Sequence, residues 1–379
     1  MGSGNTKVLV VFVDALGPQQ LERFGERLSA LPHKKPLSGV LGYSSGALAT
    51  ILTGAPPAAH GRMCLFTASP PGEKSVLTPL AWLGLLPKVL HERAALRRLV
   101  GRALSAAAGL TGYVALHRVP PEAFRWLDIP ERDDLFQASD VGGVPTFLAA
   151  ARQAGLSVFA APWQVPEAER WALSIETLER GGVDLAFLYA TELDGALHMG
   201  GNDGRQAQAA IDRIGANIER ARDAMRRGGG DVVTLVIGDH GMADVRTFVD
   251  PRPFVAKGSA RAFVDSTMMR FWGGDASLDQ ARLSLERARI PGTWLDAAAL
   301  KAREAPTEGD PYGRAMFLLD EGVIFAPSFV GGRVRGMHGY DVSSGSARAA
   351  LASDAEIPEG CSNIADLSSM IRHRLGVAA

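Results

Sequence analysis

Seven residues from Lys7 to Val13 (KVLVVFV) form an unbroken apolar, β-branched run. That is the pattern of a strand buried on both faces of a parallel sheet. Polar and apolar residues at helical spacing follow over 19–28. The alternation returns further along: 156–161 reads as a strand, 167–180 as a helix and 183–189 (VDLAFLY) as a second buried strand. A long amphipathic helix is predicted over 206–227, and 232–237 (VVTLVI) reads as another strand. Strands alternating with helices predict an α/β fold, a doubly wound and mostly parallel sheet with helices on both faces.

Two stretches break the rhythm. Residues 62–140 are rich in Leu, Ala and Arg and punctuated by prolines, which predicts a mostly helical cap inserted over one end of the sheet. The apolar segment 80–86 within it reads as the core of that cap rather than as a membrane surface. Residues 253–333 contain strand patterns at 261–265, 315–319 and 323–326 and a helical one at 278–288. They predict a small α+β subdomain. The core is then assigned to 1–61, 141–252 and 334–379.

Bulk composition narrows the function classes. The chain has 379 residues, 46% of them hydrophobic, enough for a sizeable core. Its 40 basic and 41 acidic residues leave a formal net charge of −1, which argues against binding a nucleic-acid polymer. Two cysteines, Cys64 and Cys361, make neither a disulfide framework nor a cysteine zinc site. No apolar run reaches the roughly 18 residues of a membrane span. The opening Met1-Gly2-Ser3-Gly4-Asn5-Thr6 fits a myristoylation pattern formally, but is expected to be a flexible leader. A cytoplasmic protein is the expectation.

Candidate chemistry collects where the strand patterns end. Ligands of open α/β sheets sit outside the carboxyl ends of the strands. Asp14 ends the first run, Asp194 and His198 follow the second, and Asp239 and His240 follow VVTLVIG. His338 stands in the glycine-flanked segment Gly336-Met337-His338-Gly339. Taken singly each has a plain alternative: a helix cap, a chance i, i+4 pair, a surface-loop histidine. Together they are three aspartates and three histidines, all expected in loops at one sheet edge. Such a mixed set suits zinc best, with manganese or iron as further candidates. Ser44 or Ser45 would open a short helix ending at Gly54, where free backbone N–H groups favour an anion or an alkoxide; a plain serine N-cap is the alternative.

The same pieces, in this order, resemble the alkaline phosphatase superfamily, most closely its type I phosphodiesterase and nucleotide pyrophosphatase branch. They are VFVDALG, the helix into Leu52-Thr53-Gly54, Pro57-Ala58-Ala59-His60-Gly61, Asp194-Gly195-Ala196-Leu197-His198, Gly238-Asp239-His240-Gly241-Met242 and Gly336-Met337-His338-Gly339. The resemblance implies an alkaline-phosphatase-like fold and two divalent metal ions. One site would be Asp194, His198 and His338; the other would be Asp14, Asp239 and His240, with Ser44 bridging towards it. The spacing to Thr53-Gly54 in that branch makes Ser44 the implied nucleophile, with Ser45 in reserve and His60 structural.

Three positions depart from the branch: Ser44 replaces the usual Thr, Ala47 replaces an Asn that holds a phosphoryl oxygen, and Leu197 replaces a Gly. The implied activity is hydrolysis of phosphodiester or pyrophosphate bonds in a small molecule through a phosphoseryl intermediate. A monoesterase, a phosphonate hydrolase or a phosphotransferase would use the same residues, and a catalytically silent binding protein is the reading from a different class. A sulfatase is excluded, because Ser44-Ser45-Gly46-Ala47-Leu48 lacks the Pro and Arg such an enzyme needs.

Overall fold

The computed structural model describes residues 6–255 and 260–378, so the leader up to Asn5 lies outside the described residues. A six-stranded sheet runs in the order His33–Leu37, Ala349–Ser353, Val232–Ile237, Lys7–Val13, Leu185–Ala190, Val158–Ala160. The four strands from Val232–Ile237 to Val158–Ala160 pair in parallel, and Ala349–Ser353 is antiparallel to both of its neighbours.

Alternation along the central strand explains why it reads as continuously apolar. Leu9, Val11 and Val13 pack on one face against Ile211, Ile214 and Ile218 of the helix Arg205–Arg227 and Trp171 and Ile175 of Glu167–Arg180. Val8, Val10 and Phe12 pack on the other face against the helices Ser44–Thr53, Phe147–Gln153 and Asp366–Arg374. Each side chain from Val8 to Val13 is fully buried, and each is worth about 1.5–3 kcal/mol of transfer free energy.

Several elements differ from the sequence reading. The predicted helix over 19–28 breaks at Phe24 into Pro18–Arg23 and a 3-10 turn Gly25–Leu28, with Gly25 at φ +50°. The predicted strand over 156–161 shortens to Val158–Ala160. The strands His33–Leu37 and Ala349–Ser353 were not anticipated, because HKKPL is a polar edge strand and AALAS has helical propensity. The segment 80–86 is split: Leu80 and Leu83 are buried in the cap, while Trp82 and Leu85 face outward at 46% and 87% exposure.

Within 253–333 a four-stranded antiparallel sheet runs Arg261–Val264, Met268–Trp272, Ala315–Leu319, Gly292–Leu295. Met268–Trp272 and Gly292–Leu295 carried no clear period in the sequence. Phe263 of this sheet joins the apolar cluster of Phe66, Leu77, Leu83 and Phe124, so residues of 62–140 and of 253–333 share a core.

A buried ion pair reinforces that junction. Arg270 donates from Nε to Asp265 Oδ2 at 2.6 Å and from Nη1 to the carbonyl of Phe66 at 2.8 Å, and both charged side chains are essentially excluded from solvent. Removing one partner of such a pair leaves a buried charge uncompensated. Asp265→Ala is therefore expected to cost about 3–5 kcal/mol of stability, read from urea unfolding; a loss under about 1 kcal/mol would mean that water reaches the guanidinium.

Candidate active site

Strand register brings the first carboxylates together. Phe12 stands opposite Ile237 and opposite Tyr189, so Asp14 and Asp239, each two residues on, emerge at the same level of the same edge. Asp239 Oδ1 accepts from the backbone N–H of Ala15 at 3.1 Å and of His240 at 3.0 Å. Ala15 adopts φ +62° to present that N–H, a backbone strain of the kind retained at functional edges.

Asp194 and His198 do not lie in a loop, as the sequence reading expected. They lie one turn apart on the helix Glu192–Gly200, and their i, i+4 spacing puts both on one face. His198 Nε2 is 3.2 Å from Asp194 Oδ1. His338 follows the two-residue strand Gly336–Met337, which pairs with Ala243–Asp244. Its Nε2 is 3.7 Å from Asp194 Oδ1, and its ring stacks on that of His240 at 3.7 Å between centroids.

The flanking glycines are required by contact. The carbonyl of Gly336 accepts from His198 Nδ1 at 2.8 Å, and a Cβ at Gly336 would meet the carbonyl oxygen of Leu197 at 2.5 Å. Gly339 sits at φ +85°, and a Cβ there would meet the ring of Tyr43 at 2.6 Å.

The six residues form two groups, Asp194 with His198 and His338, and Asp14 with Asp239 and His240. Within each group the potential ligand atoms lie within 4.8 Å of one another. The Nδ1–H groups of His198 and His240 donate to the carbonyls of Gly336 and Gly241, which leaves Nε2 of each turned to the site.

Asp14 Oδ1, Asp194 Oδ1 and Asp239 Oδ2 are buried without a hydrogen-bond partner. Burial, and then the charges of Asp239 and Asp194, hold the carboxyl of Asp14 well above its usual range. Burial opposes the charged form of His240, but Asp239, Asp14 and Asp194 outweigh it and push the imidazole up to about 10. Buried carboxylates with free lone pairs, crowded against one another, are what a divalent cation would compensate.

Ser44 is the first residue of the helix Ser44–Thr53, and Tyr43 rather than a serine occupies the cap position. Ser44 Oγ lies 3.0 Å from His240 Nε2. Ser45 Oγ is buried without a partner. His60 Nε2 bonds Thr50 Oγ1 at 2.9 Å, and its Nδ1 accepts from the N–H of Arg62. That pins the turn Pro57–His60 to the helix below Ser44. Ala47 is buried on the same helix beside Asp239 and His240.

Some contributors went unread in the sequence. Tyr189 donates its hydroxyl to Asp14 Oδ2 at 3.0 Å. Glu167 Oε2 accepts from Thr191 and Glu192, steadying the start of the Glu192–Gly200 helix. Tyr189 was recoverable in principle, as the polar penultimate residue of a buried strand.

The site opens into a cavity of about 570 Å³, whose outer wall includes Leu65, Tyr113, Glu131, Phe136 and Trp163. Burial foremost pushes the Glu131 carboxyl up to about 7, against the pull of Arg62. The unfolded carboxyl ionises near pH 4.3, so the folded state holds the extra proton between there and about 7. Wild-type stability then falls as pH rises through that window. Glu131→Gln should lack this slope, so thermal unfolding at pH 5 and 7 should show the variant gaining on the wild type as pH rises.

The family model for type I phosphodiesterase / nucleotide pyrophosphatase matches residues 8–341. No curated protein matches the chain in sequence. Among solved structures, murine ectonucleotide pyrophosphatase/phosphodiesterase 5 superposes with a TM-score of 0.69 at 17% identity, covering 99% of this chain and 96% of that one. An inactive variant of the murine protein in complex with AMP matches equally well, at 0.69 and 17%, with the same coverage of 99% and 96%. The human counterpart gives 0.68 at 15%, again over 99% and 96% of the two chains.

Proposed function

Given that the chain belongs to the type I phosphodiesterase and nucleotide pyrophosphatase family of the alkaline phosphatase superfamily, and is a phosphoester hydrolase, we propose that it cleaves phosphodiester or pyrophosphate bonds in a small molecule through a covalent phosphoseryl intermediate on Ser44. The observation that carries this reading is the position of Ser44 Oγ, at a helix amino terminus and 3.0 Å from His240, beside two buried Asp/His triads.

The family is divalent-metal-dependent. In this reading Asp194, His198 and His338 hold one ion and Asp14, Asp239 and His240 hold the other, with zinc the best match to the mixed donors. Bound there, the ions would offset the negative charge on the phosphoryl group and favour ionisation of a nearby hydroxyl. The chain's own residues do the rest. The helix Ser44–Thr53 directs its positive end at Ser44 and favours the alkoxide form of Oγ. Oγ attacks phosphorus as the bond to the leaving oxygen breaks, and a water molecule then releases the phosphoryl group from Ser44. Tyr189 and Ala15 hold Asp14 and Asp239 in place. The Nδ1 bonds of His198 and His240 set their tautomers.

Ala47 favours a second reading. The branch uses an Asn side chain at this position to hold a phosphoryl oxygen, and Ala47 supplies none, which weakens the case for nucleotide diesters and leaves monoesters in play. Purified enzyme with Zn²⁺ or Mn²⁺ is expected to show a higher kcat/KM for bis(4-nitrophenyl) phosphate than for 4-nitrophenyl phosphate. The reverse order would select the monoesterase.

A further inference from the structure

Next to the catalytic cavity lies a second one of about 500 Å³, lined by Arg97, Arg98, Arg102 and Arg118. His117 and Val330 belong to the walls of both cavities, so the two abut there. None of the residues assigned to catalysis or metal binding lines this second space.

The two cavities have opposite electrostatics. The catalytic cavity is lined by aromatic and apolar groups and by Asp14, Asp194, Asp265, Glu131 and Asp134, with no lysine or arginine among its described lining residues. The second cavity gathers four guanidiniums, and Glu92 is its only carboxylate. Glu92 is engaged by Lys88 at 3.7 Å, and among the described residues none of the four arginines makes an ion pair. In a chain of net charge −1, four unpaired guanidiniums around one concavity are not a solvated average surface; they form a local positive potential.

The cavity is also built rather than incidental. Arg97 is only 4% exposed, and it is held from within by bonds to the carbonyls of His91 (2.6 Å) and Val119 (2.8 Å). Arg98 and Arg102 stand one turn apart on the helix Ala94–Ala108, so they share a face. The backbone N–H of Arg118 donates to Phe329 at 2.8 Å, tying this wall to the neighbouring subdomain. Between the cavities His117 adopts φ +43°, and its Nε2 is buried without a partner. A strained residue with an unmet polar atom at the junction is what a passing ligand would satisfy.

We propose that the arginine cavity is an anion subsite for the substrate: one arm of the phosphodiester runs from the reacting phosphoryl group past His117 and ends in a terminal phosphate held by Arg97, Arg98, Arg102 and Arg118. Guanidiniums match phosphate oxygens in paired, forked hydrogen bonds. The aromatic and apolar wall of the catalytic cavity takes the body of the arm, and the four arginines lie beyond the shared residues His117 and Val330. The proposal rests on Ser44 being the reacting centre, and it narrows the substrate class to diesters with an anionic terminus.

The test uses the metal-loaded enzyme and two 4-nitrophenyl phosphodiesters that differ only at the end of the second arm, one a neutral alkyl chain and the other the same chain ending in phosphate. Wild-type enzyme should prefer the phosphate-ended ester by about tenfold or more in kcat/KM, chiefly through KM. The exposed-arginine variant R98Q/R102Q/R118Q should bring that ratio close to one. A ratio near one in the wild type, or an unchanged ratio in the variant, overturns the subsite. If neither ester is hydrolysed, the hydrolytic reading has failed, and inorganic phosphate decides the subsite separately. Phosphate should then raise the melting temperature of the wild type and not of the triple variant, whereas an equal rise in both overturns it.

Discussion

Ser44→Ala is expected to lower turnover by roughly a thousandfold or more, because it removes the hydroxyl proposed to carry the covalent intermediate. The hydroxyl is the group at the helix start within hydrogen-bond distance of His240, and its neighbour cannot replace it. Ser45 Oγ is buried and makes no hydrogen bond, so Ser45→Ala should change turnover only severalfold. Metal content should persist in Ser44→Ala, since every Asp and His of the two triads is retained. Acid-quenched wild-type enzyme with a slow substrate should carry phosphate on the peptide containing Ser44. Loss of activity in Ser45→Ala with normal turnover in Ser44→Ala would move the nucleophile by one residue. Full activity in both would replace the covalent route by direct attack of water.

Asp239→Asn should abolish most activity and reduce the metal content from two ions per chain to one, measured by elemental analysis after reconstitution with Zn²⁺. The amide keeps an oxygen to accept from the backbone N–H groups of Ala15 and His240, so the fold should survive while the charge is lost. The stability readout differs with and without metal, which makes it a strong check. Without metal, Asp14, Asp239 and Asp194 repel one another in a buried setting. Asp239 also holds the imidazolium of His240 at 3.1 Å, so losing its charge sets relief of that repulsion against loss of this pair, and the metal-free variant should stay within a few degrees of the metal-free wild type. With Zn²⁺ the variant should fall clearly below the wild type, because an ion that binds only the folded state adds stability by mass action. A metal-free variant several degrees less stable than the metal-free wild type would mean that Asp239 serves the fold rather than a cation.

What could be read from residues alone follows from period and from chain order. Lys7–Val13, Leu185–Ala190 and Val232–Ile237 are legible because a strand covered on both faces must be apolar at every position. Asp14, Asp239 and His240 are legible because polar residues directly after such strands emerge at the edge where open sheets bind ligands.

Other features depend on contacts between distant segments. Ala349–Ser353 is a strand only because it pairs with Val232–Ile237 and His33–Leu37; its alanines alone favour a helix. Asp194 and His198 look like a chance pair in sequence, and the helix Glu192–Gly200 gains its meaning from Gly336, which approaches Leu197 and accepts from His198. Tyr189 holds Asp14 across a strand pairing. The arginine cavity joins the helix Ala94–Ala108 to Val330, more than 200 residues further along the chain. The chain's periodicity therefore determined the parallel centre of the sheet and the strand-end ligands, since both are local consequences of burial. The tertiary structure decided the strands His33–Leu37 and Ala349–Ser353, how Asp194, His198 and His338 come together, and the cavities, since those depend on which distant backbones come within hydrogen-bond reach.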